Sequence, residues 1–194
     1  MKKKTVEKFP SVPELESELC RERKKKKFRS TLRSTVFGLI TVAALVVLAA
    51  VFFLPVFRIY GHSMTPGLDE GDIVIAVKDS ELESGDVIAF YYNNKILVKR
   101  VIAGSGDWVD IRENGDVYVN QERLEEPYLQ EKALGECDLQ LPYQVPDSVF
   151  FVMGDHRSVS ADSRSTAIGC VPKEQVAGRL MFRIWPLEKA GFIK

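Results

Sequence analysis

A serine and a lysine are the residues of this sequence best suited to chemistry. Ser63 lies in the segment Gly61–Pro66, shortly after the longest apolar run of the chain, and Lys99 follows the apolar residues Ile96–Val98. A serine hydroxyl is a poor nucleophile until a neighbouring base removes its proton. A lysine amine is such a base when its surroundings keep it neutral. The pair therefore predicts serine/lysine protease chemistry.

The lysine can act as a base only if its pKa is low. A free lysine has a pKa of about 10.4, so the neutral amine costs roughly 3.3 kcal/mol at about pH 8. Burial beside apolar neighbours such as Leu97, Val98 and Val101 lowers a lysine pKa, because the charged form loses its hydration. We predict that Lys99 is buried and substantially neutral near neutral pH.

The only two histidines, His62 and His156, offer a rival mechanism. Asp155 and His156 could join Ser63 in a Ser-His-Asp triad, and residue types alone leave this alternative open. The same residues do not predict a metal site, because the histidines are far apart and the chain has no paired cysteine motif. No cofactor is expected.

One segment is long and apolar enough to cross a membrane. Residues 35–54 contain no charge, and as a helix they span roughly 30 Å, which matches a bilayer core. Residues 1–34 carry 12 Lys and Arg against 5 Asp and Glu, so they are strongly basic. The positive-inside rule places this end in the cytoplasm and residues 55–194 outside. We therefore expect a single-pass protein of the cell membrane, with the lipid bilayer and no nucleic acid as partner.

The remainder of the chain has the pattern of an all-β domain. Short apolar runs alternate with turn signals rich in Gly, Asn and Asp. The predicted strands are Ile73–Val77, Val87–Tyr92, Ile96–Ile102, Trp108–Ile111, Val117–Val119, Val149–Met153 and Val176–Ile184. Residues 120–146 are predicted to be a surface excursion. The prediction is a mainly β, coiled-sheet or barrel-like catalytic domain over residues 55–194, behind a cytoplasmic segment (1–34) and a transmembrane helix (35–54).

Four short motifs resemble those of the bacterial type I signal peptidases, particularly the Gram-positive members. In chain order they are Gly61–Pro66, Gly71–Val74, Lys99–Ile102 with Gly106 and Asp107, and Gly154–Arg164. Each motif is a weak signal alone, but four in the family's order behind one anchor are specific. The resemblance implies a membrane-bound serine endopeptidase that removes signal peptides from exported preproteins, so those peptides are the implied partners.

The resemblance also implies roles for particular residues. Ser63 is the expected nucleophile, with its backbone N–H in the oxyanion site, and Lys99 is the expected general base. Ser160 is expected to hydrogen-bond the lysine amine, and Asp162 to pair with Arg164 in support of the site. The pocket for the residue before the cut maps to four apolar side chains, which suit small residues one and three positions before the cut: Ile59, Met64, Leu68 and Val98.

Two departures from the family pattern lie beside these residues. His156 stands where asparagine is common, which puts the local hydrogen bonding in doubt. Gly61 stands where some members have a serine whose hydroxyl stabilises the oxyanion, so backbone N–H groups must supply more of that stabilisation.

Two other functions fit parts of the pattern. One is a self-cleaving serine/lysine protease of the SOS-repressor type, and the other is an inactive membrane-anchored β scaffold. The sequence also leaves open whether Cys137 and Cys170 form a disulfide.

Overall fold

The computed structural model describes residues 12–78 and 81–193. The chain divides into two compact units, residues 1–50 and 51–194, which are described separately. Helix α1, Val12–Phe53, accounts for the described part of the first unit and ends just beyond it, and its described side chains are exposed. By length and composition, α1 could cross a membrane between Leu15 and Ala50.

The predicted apolar helix is therefore present, but it is part of a much longer one. The described helix includes the basic residues ahead of the apolar run, because these are rich in Glu, Lys, Arg and Leu, which are good helix formers. The basic segment from residue 12 and the apolar segment thus share one helix. The predicted cytoplasmic residues 1–11 lie outside the described part.

The larger of the two antiparallel sheets formed by the described residues supports the candidate catalytic residues. Its strands lie in the order β1-β2-β11-β3-β4-β9-β10, and β12 pairs with β11. The strands are β1 (Val56–Arg58), β2 (Ile73–Val77), β3 (Val87–Tyr92), β4 (Lys95–Ala103), β9 (Val149–Met153), β10 (Val171–Pro172), β11 (Val176–Trp185) and β12 (Gly191–Phe192).

The smaller sheet has the order β7-β6-β5-β8. Its strands are β5 (Trp108–Ile111), β6 (Val117–Val119), β7 (Glu122–Arg123) and β8 (Tyr143–Gln144). β5 and β6 form the predicted hairpin, and Gly115 in its turn has a φ of +83°, which glycine adopts without steric cost. No pairing among the described strands closes either sheet into a barrel.

The fold class is thus confirmed as mainly β, with two open antiparallel sheets. All seven predicted strands are present, with ends that differ by at most one residue. Short apolar runs bounded by turn residues explain this agreement, and along β2 the side chains alternate between half-buried and buried.

The predicted surface excursion at residues 120–146 is only partly correct. Leu124, Leu134, Leu139 and Leu141 pack against an apolar core beneath the smaller sheet, and Val145 is buried within it. The segment also contains β7 and β8. Strands of two residues carry no readable periodicity, so the sequence did not predict them.

The three cysteines are free thiols in this structure. Cys170 packs against the same core beneath the smaller sheet, and Cys137 is half-buried. The disulfide that the sequence left open is therefore not formed here.

Candidate active site

Ser63 and Lys99 line one small cleft of about 80 Å³. One wall is the stretch from β1 to the turn that carries Ser63, and the other is the first half of β4. The remaining lining residues are Phe57, Arg58, Ile59, Tyr60, Gly61, Met64, Ile96, Leu97 and Val98. The tertiary fold thus brings together two side chains that are 36 positions apart in sequence.

The serine turn is fixed at both ends by backbone hydrogen bonds. The N–H of Ile59 donates to the carbonyl of Asp72 at 2.8 Å, and the N–H of Gly71 donates back to the carbonyl of Ile59 at 2.9 Å. Within the turn, the N–H of Thr65 donates to the carbonyl of His62. Gly61 has a φ of +79°, a backbone conformation that favours glycine at this position.

Lys99 is buried, with only 4% of its surface exposed. Burial lowers its pKa from 10.5 to about 8, because the charged amine is desolvated. Asp162 opposes the shift, Arg164 adds to it, and Asp155 opposes it. The predicted burial is therefore present. The lowered pKa makes the neutral amine far more populated near neutral pH than it is in a free lysine.

Asp162 and Arg164 form a buried ion pair with two hydrogen bonds. Arg164 donates from Nε to Oδ1 and from Nη2 to Oδ2 of Asp162, both at 2.8 Å. Burial raises the pKa of Asp162, but the hydrogen bonds and charge of Arg164, with a bond from the N–H of Gly154, outweigh it and keep the pKa below its usual range. The expected pairing is thus present.

Ser160 is buried in the same loop. Its hydroxyl lies close enough to the Asp162 carboxyl to lower that group's pKa, yet it meets no described group with hydrogen-bonding geometry. The expected bond from this hydroxyl to the amine of Lys99 is accordingly not formed in this structure, and its role remains a prediction.

Gly154 joins the Ser63 turn to the Ser160 loop by close packing. A Cβ at Gly154 would overlap the Ser160 hydroxyl oxygen and lie 2.5 Å from the Ser63 carbonyl oxygen. No side chain larger than hydrogen fits there without a shift of the backbone. Sequence reasoning placed Gly154 in a motif but gave it no role, although a glycine at the start of a polar loop was the available signal.

The histidine triad that the sequence left open has no support in this geometry. Both carboxylate oxygens of Asp155 accept hydrogen bonds from Arg100, at 2.9 and 2.7 Å. Asp155 is therefore already engaged and does not orient a histidine. His156 lines a different cavity, and His62 is exposed with Nε2 3.3 Å from Glu70.

The four apolar residues expected to form the substrate pocket lie in one cluster. Ile59, Met64 and Leu68 are buried in it, and Val98 packs against it. Ile59, Met64 and Val98 also line the cleft beside Ser63, whereas Leu68 stands behind that surface. Their use by substrate remains a prediction.

Two buried ion pairs near the site were not singled out from the sequence. They are Arg100 with Asp155, and Arg157 with Glu126. Arg100, Asp155 and Arg157 belong to the recognised motifs. Glu126 belongs to none, and no sequence signal separates it from its exposed neighbour Glu125.

The arrangement of a serine and a buried lysine in one cleft is typical of serine peptidases that use an amine as base. The model of the signal peptidase family, peptidase S26, matches residues 32–185 of this chain. The chain therefore belongs to the signal peptidase family, peptidase S26, whose members are serine endopeptidases that remove signal peptides. The expected family, enzyme class and general function are thus confirmed.

Named relatives support the same assignment. Signal peptidase IB of Staphylococcus aureus is 35% identical over 159 residues, with 71% of this chain and 81% of the relative covered. Signal peptidase I of Streptococcus pneumoniae is 29% identical, with 77% and 91% covered. The chloroplastic thylakoidal processing peptidase 1 of Arabidopsis thaliana is 36% identical, but the match spans only 41% of that longer protein.

Proposed function

We propose that this chain removes N-terminal signal peptides from exported preproteins by acylation of Ser63, with Lys99 as the general base. The observation that carries this proposal is the position of Lys99: it is buried, it has a lowered pKa, and it lines the cleft that contains Ser63. A lysine pKa near 8 supplies a usable fraction of neutral amine at the pH where such an enzyme works.

The proposed reaction has two stages. Neutral Lys99 takes the proton of the Ser63 hydroxyl while Oγ attacks the substrate carbonyl, and backbone N–H groups that include that of Ser63 hold the oxyanion. The Lys99 ammonium then gives its proton to the leaving amine as the peptide bond breaks, which leaves an ester on Ser63. In the second stage Lys99 takes a proton from water as the water oxygen attacks the ester. The bond between the acyl carbon and Ser63 Oγ then breaks, and the Lys99 ammonium returns its proton to Oγ, which restores the serine hydroxyl and the neutral amine.

Asp162, Arg164 and Ser160 are proposed to support the base rather than to react. The ionised carboxylate of Asp162 places a negative charge near the Lys99 amine. The ion pair with Arg164 keeps this carboxylate ionised and fixes its position. The Ser160 hydroxyl is buried with an unused hydrogen-bonding capacity among the described groups. A small movement on substrate binding would let it accept a hydrogen bond from the amine and orient it.

The sheet offers an edge for an extended substrate. β3 pairs with β4 along Lys95–Arg100, whereas β9 pairs with β4 only from Arg100 to Ala103. In the described strands, the other edge of residues 95–99 is therefore open beside the cleft. A substrate strand would add its backbone hydrogen bonds there. It would then place the small side chain before the cut against Ile59, Met64 and Val98.

The family and the apolar helix indicate a membrane-anchored protein. We propose further that residues 1–34 lie in the cytoplasm, residues 35–54 span the bilayer, and residues 55–194 form the extracytoplasmic catalytic domain. The excess of Lys and Arg before the apolar run supports this orientation. Anchoring holds the cleft at the membrane surface, where it raises the effective concentration of a membrane-tethered substrate.

The mechanism is tested by cleavage of a preprotein that has small residues one and three positions before the cut. The assay compares detergent-solubilised wild type with Ser63→Ala, Lys99→Ala and His156→Ala. We expect no cleavage with the first two variants and retained cleavage with the third. Loss in His156→Ala together with full activity of Lys99→Ala would replace the proposal with a histidine triad.

The same assay separates the other two functions. Self-cleavage of the purified chain without cleavage of added preprotein would support a self-cleaving protease. No cleavage of any kind by the wild type would support an inactive scaffold.

A further inference from the structure

A buried carboxylate outside every recognised motif forms an ion pair that the proposed mechanism does not explain. Glu126 follows β7, in the connection between β7 and β8 (residues 124–142), and its side chain forms an ion pair with that of Arg157. The two side chains are 0% and 1% exposed. Ion pairs so fully removed from water generally cost about as much in desolvation as they return in attraction. Net stabilisation of the fold is therefore a weak explanation for this pair.

Arg157 connects Glu126 to the residues that surround the base. Its Nε donates to the carbonyl of Gly154 at 3.1 Å, and its own carbonyl accepts a hydrogen bond of 2.9 Å from Nη2 of Arg164. Arg164 in turn holds Asp162. A fixed position of Arg157 thus fixes the loop between β9 and β10 (residues 154–170) at both Gly154 and Arg164.

The same carboxylate is linked through Tyr128 to the strand that carries the base. The hydroxyl of Tyr128 donates to Oε1 of Glu126 at 3.3 Å, and the guanidinium of Arg100 lies 3.9 Å from the centroid of the Tyr128 ring. Arg100 directly follows Lys99 on β4. The β7–β8 connection therefore reaches both parts of the candidate site, the β9–β10 loop and β4.

The connection is attached to the β9–β10 loop at a second point. The Nη1 of Arg164 donates to the carbonyl of Leu134. Gly135 has a φ of +64°, and a Cβ there would overlap both the Arg157 carbonyl oxygen and Arg164 Nη1. Asp138 accepts hydrogen bonds from the N–H and the hydroxyl of Thr166, at 2.7 and 2.9 Å.

We propose that Glu126 is a positioning residue for signal peptide cleavage, which acts through Arg157 to hold the β9–β10 loop against Lys99. This inference rests on the proposed function of Ser63 and Lys99. The β7–β8 connection is then a brace for the site rather than a surface excursion. Loss of the Glu126–Arg157 ion pair would free the β9–β10 loop. Water would then reach the Lys99 amine, and the alignment of Lys99 with Ser63 would weaken.

The test compares Glu126→Gln with Glu125→Gln in the detergent-solubilised full chain. Gln keeps the shape and a hydrogen-bonding oxygen but removes the charge, and the adjacent Glu125 is an exposed control. Glu126→Asp restores the charge on a shorter side chain. Cleavage of a preprotein gives kcat, KM and the pH profile of kcat/KM, and thermal unfolding reports the folded fraction.

Loss of alignment predicts a lower kcat rather than weaker substrate binding. We expect Glu126→Gln to lower kcat about 10- to 100-fold at nearly unchanged KM, because small misplacements of catalytic groups have effects of that size. Glu126→Asp recovers part of the rate, and Glu125→Gln matches the wild type.

The pH profile distinguishes positioning from a purely structural role. Asp162, Arg164 and Asp155 are the charged groups that act on Lys99, and burial is the largest influence on its pKa. Water that reaches the Lys99 amine raises its pKa. In the profile of kcat/KM against pH, the rising part on the acidic side (the acidic limb) therefore moves to higher pH in Glu126→Gln. A lower melting temperature with an unmoved acidic limb would overturn the inference, as would a kcat within twofold of the wild type.

Asp138→Ala keeps the inference testable if Glu126→Gln does not fold. Asp138 is at the surface, so its removal takes the two hydrogen bonds to Thr166 out of the second attachment without leaving a buried charge. We expect a several-fold lower kcat and the same upward movement of the acidic limb, and wild-type behaviour would overturn the inference. Absence of cleavage by the wild type would overturn the proposed function as well, whereas full activity of these variants beside an active wild type overturns the inference alone.

Discussion

The backbone N–H of His156 donates a hydrogen bond of 3.0 Å to the backbone carbonyl of Ser63. The contact between the β9–β10 loop and the serine turn is thus made by main-chain atoms and does not depend on which side chain stands at position 156. A histidine side chain at position 156 is therefore compatible with this contact. Gly154, two residues before His156, packs against the same Ser63 carbonyl, because a Cβ at Gly154 would lie 2.5 Å from that oxygen.

The close packing at Gly154 makes this position intolerant of any side chain. We expect Gly154→Ala to lower kcat about 100-fold, because the added Cβ must displace either Ser160 or the carbonyl of Ser63. Kinetics of preprotein cleavage measure the effect. Gly104→Ala is the matched control, since a Cβ there comes no closer than 3.8 Å to Asp107. Similar rates for both variants would contradict this account of the packing.

The lowered pKa of Lys99 predicts the acidic limb of the activity profile. The base is active when neutral, so kcat/KM should rise tenfold per pH unit well below pH 8 and level off above it. Initial rates of cleavage between about pH 5 and pH 10 give the apparent pKa. A limb near 10.5 would show that the amine is hydrated, and a limb near 6.5 would indicate a histidine base.

The same pKa has a consequence for stability. The folded-state pKa of about 8 lies below the 10.5 of an unperturbed lysine, so between these values the unfolded chain binds more protons and stability rises with pH. Below pH 8 the desolvated charge destabilises the folded state by about 3 kcal/mol, from roughly 1.36 kcal/mol per pKa unit.

Replacement by a neutral side chain of similar length should remove this dependence. We expect Lys99→Met to be more stable than the wild type at pH 7, by up to about 3 kcal/mol, and to lose most of that advantage above pH 10. Denaturant unfolding of both chains in detergent at the two pH values measures the difference. A difference that is independent of pH would mean that Lys99 has an ordinary pKa in the folded state.

The wall formed by Val98 predicts substrate preference. Val98→Ala removes two methyl groups from a half-buried side chain that lines the cleft, so valine before the cut should be accepted better relative to alanine. We expect this ratio of kcat/KM to rise about tenfold, the usual effect of a small change in pocket volume. Competing preproteins measure the ratio. The control is Val119→Ala, which shortens a side chain packed against the apolar core beneath the smaller sheet and should leave the ratio unchanged.

Much of the framework could be predicted because it depends on local patterns. The apolar run that follows Gly71 and Asp72 predicted β2, and the turn signal at Gly115 predicted the β5–β6 hairpin. The apolar helix followed from twenty consecutive uncharged residues. Ser63 and Lys99 could be singled out from residue type and local motif, before any contact between them was known.

The sequence by itself determined which residues have the chemistry of a nucleophile and a base, and which segments form strands. Only the tertiary structure decided that Asp155 is held by Arg100 and that Glu126 is buried while Glu125 is exposed. Desolvation and ion pairing arise from groups that are distant in sequence, so local patterns contain no record of them. The pKa of Lys99 is likewise a property of the assembled core, because burial in that core is the largest cause of its shift.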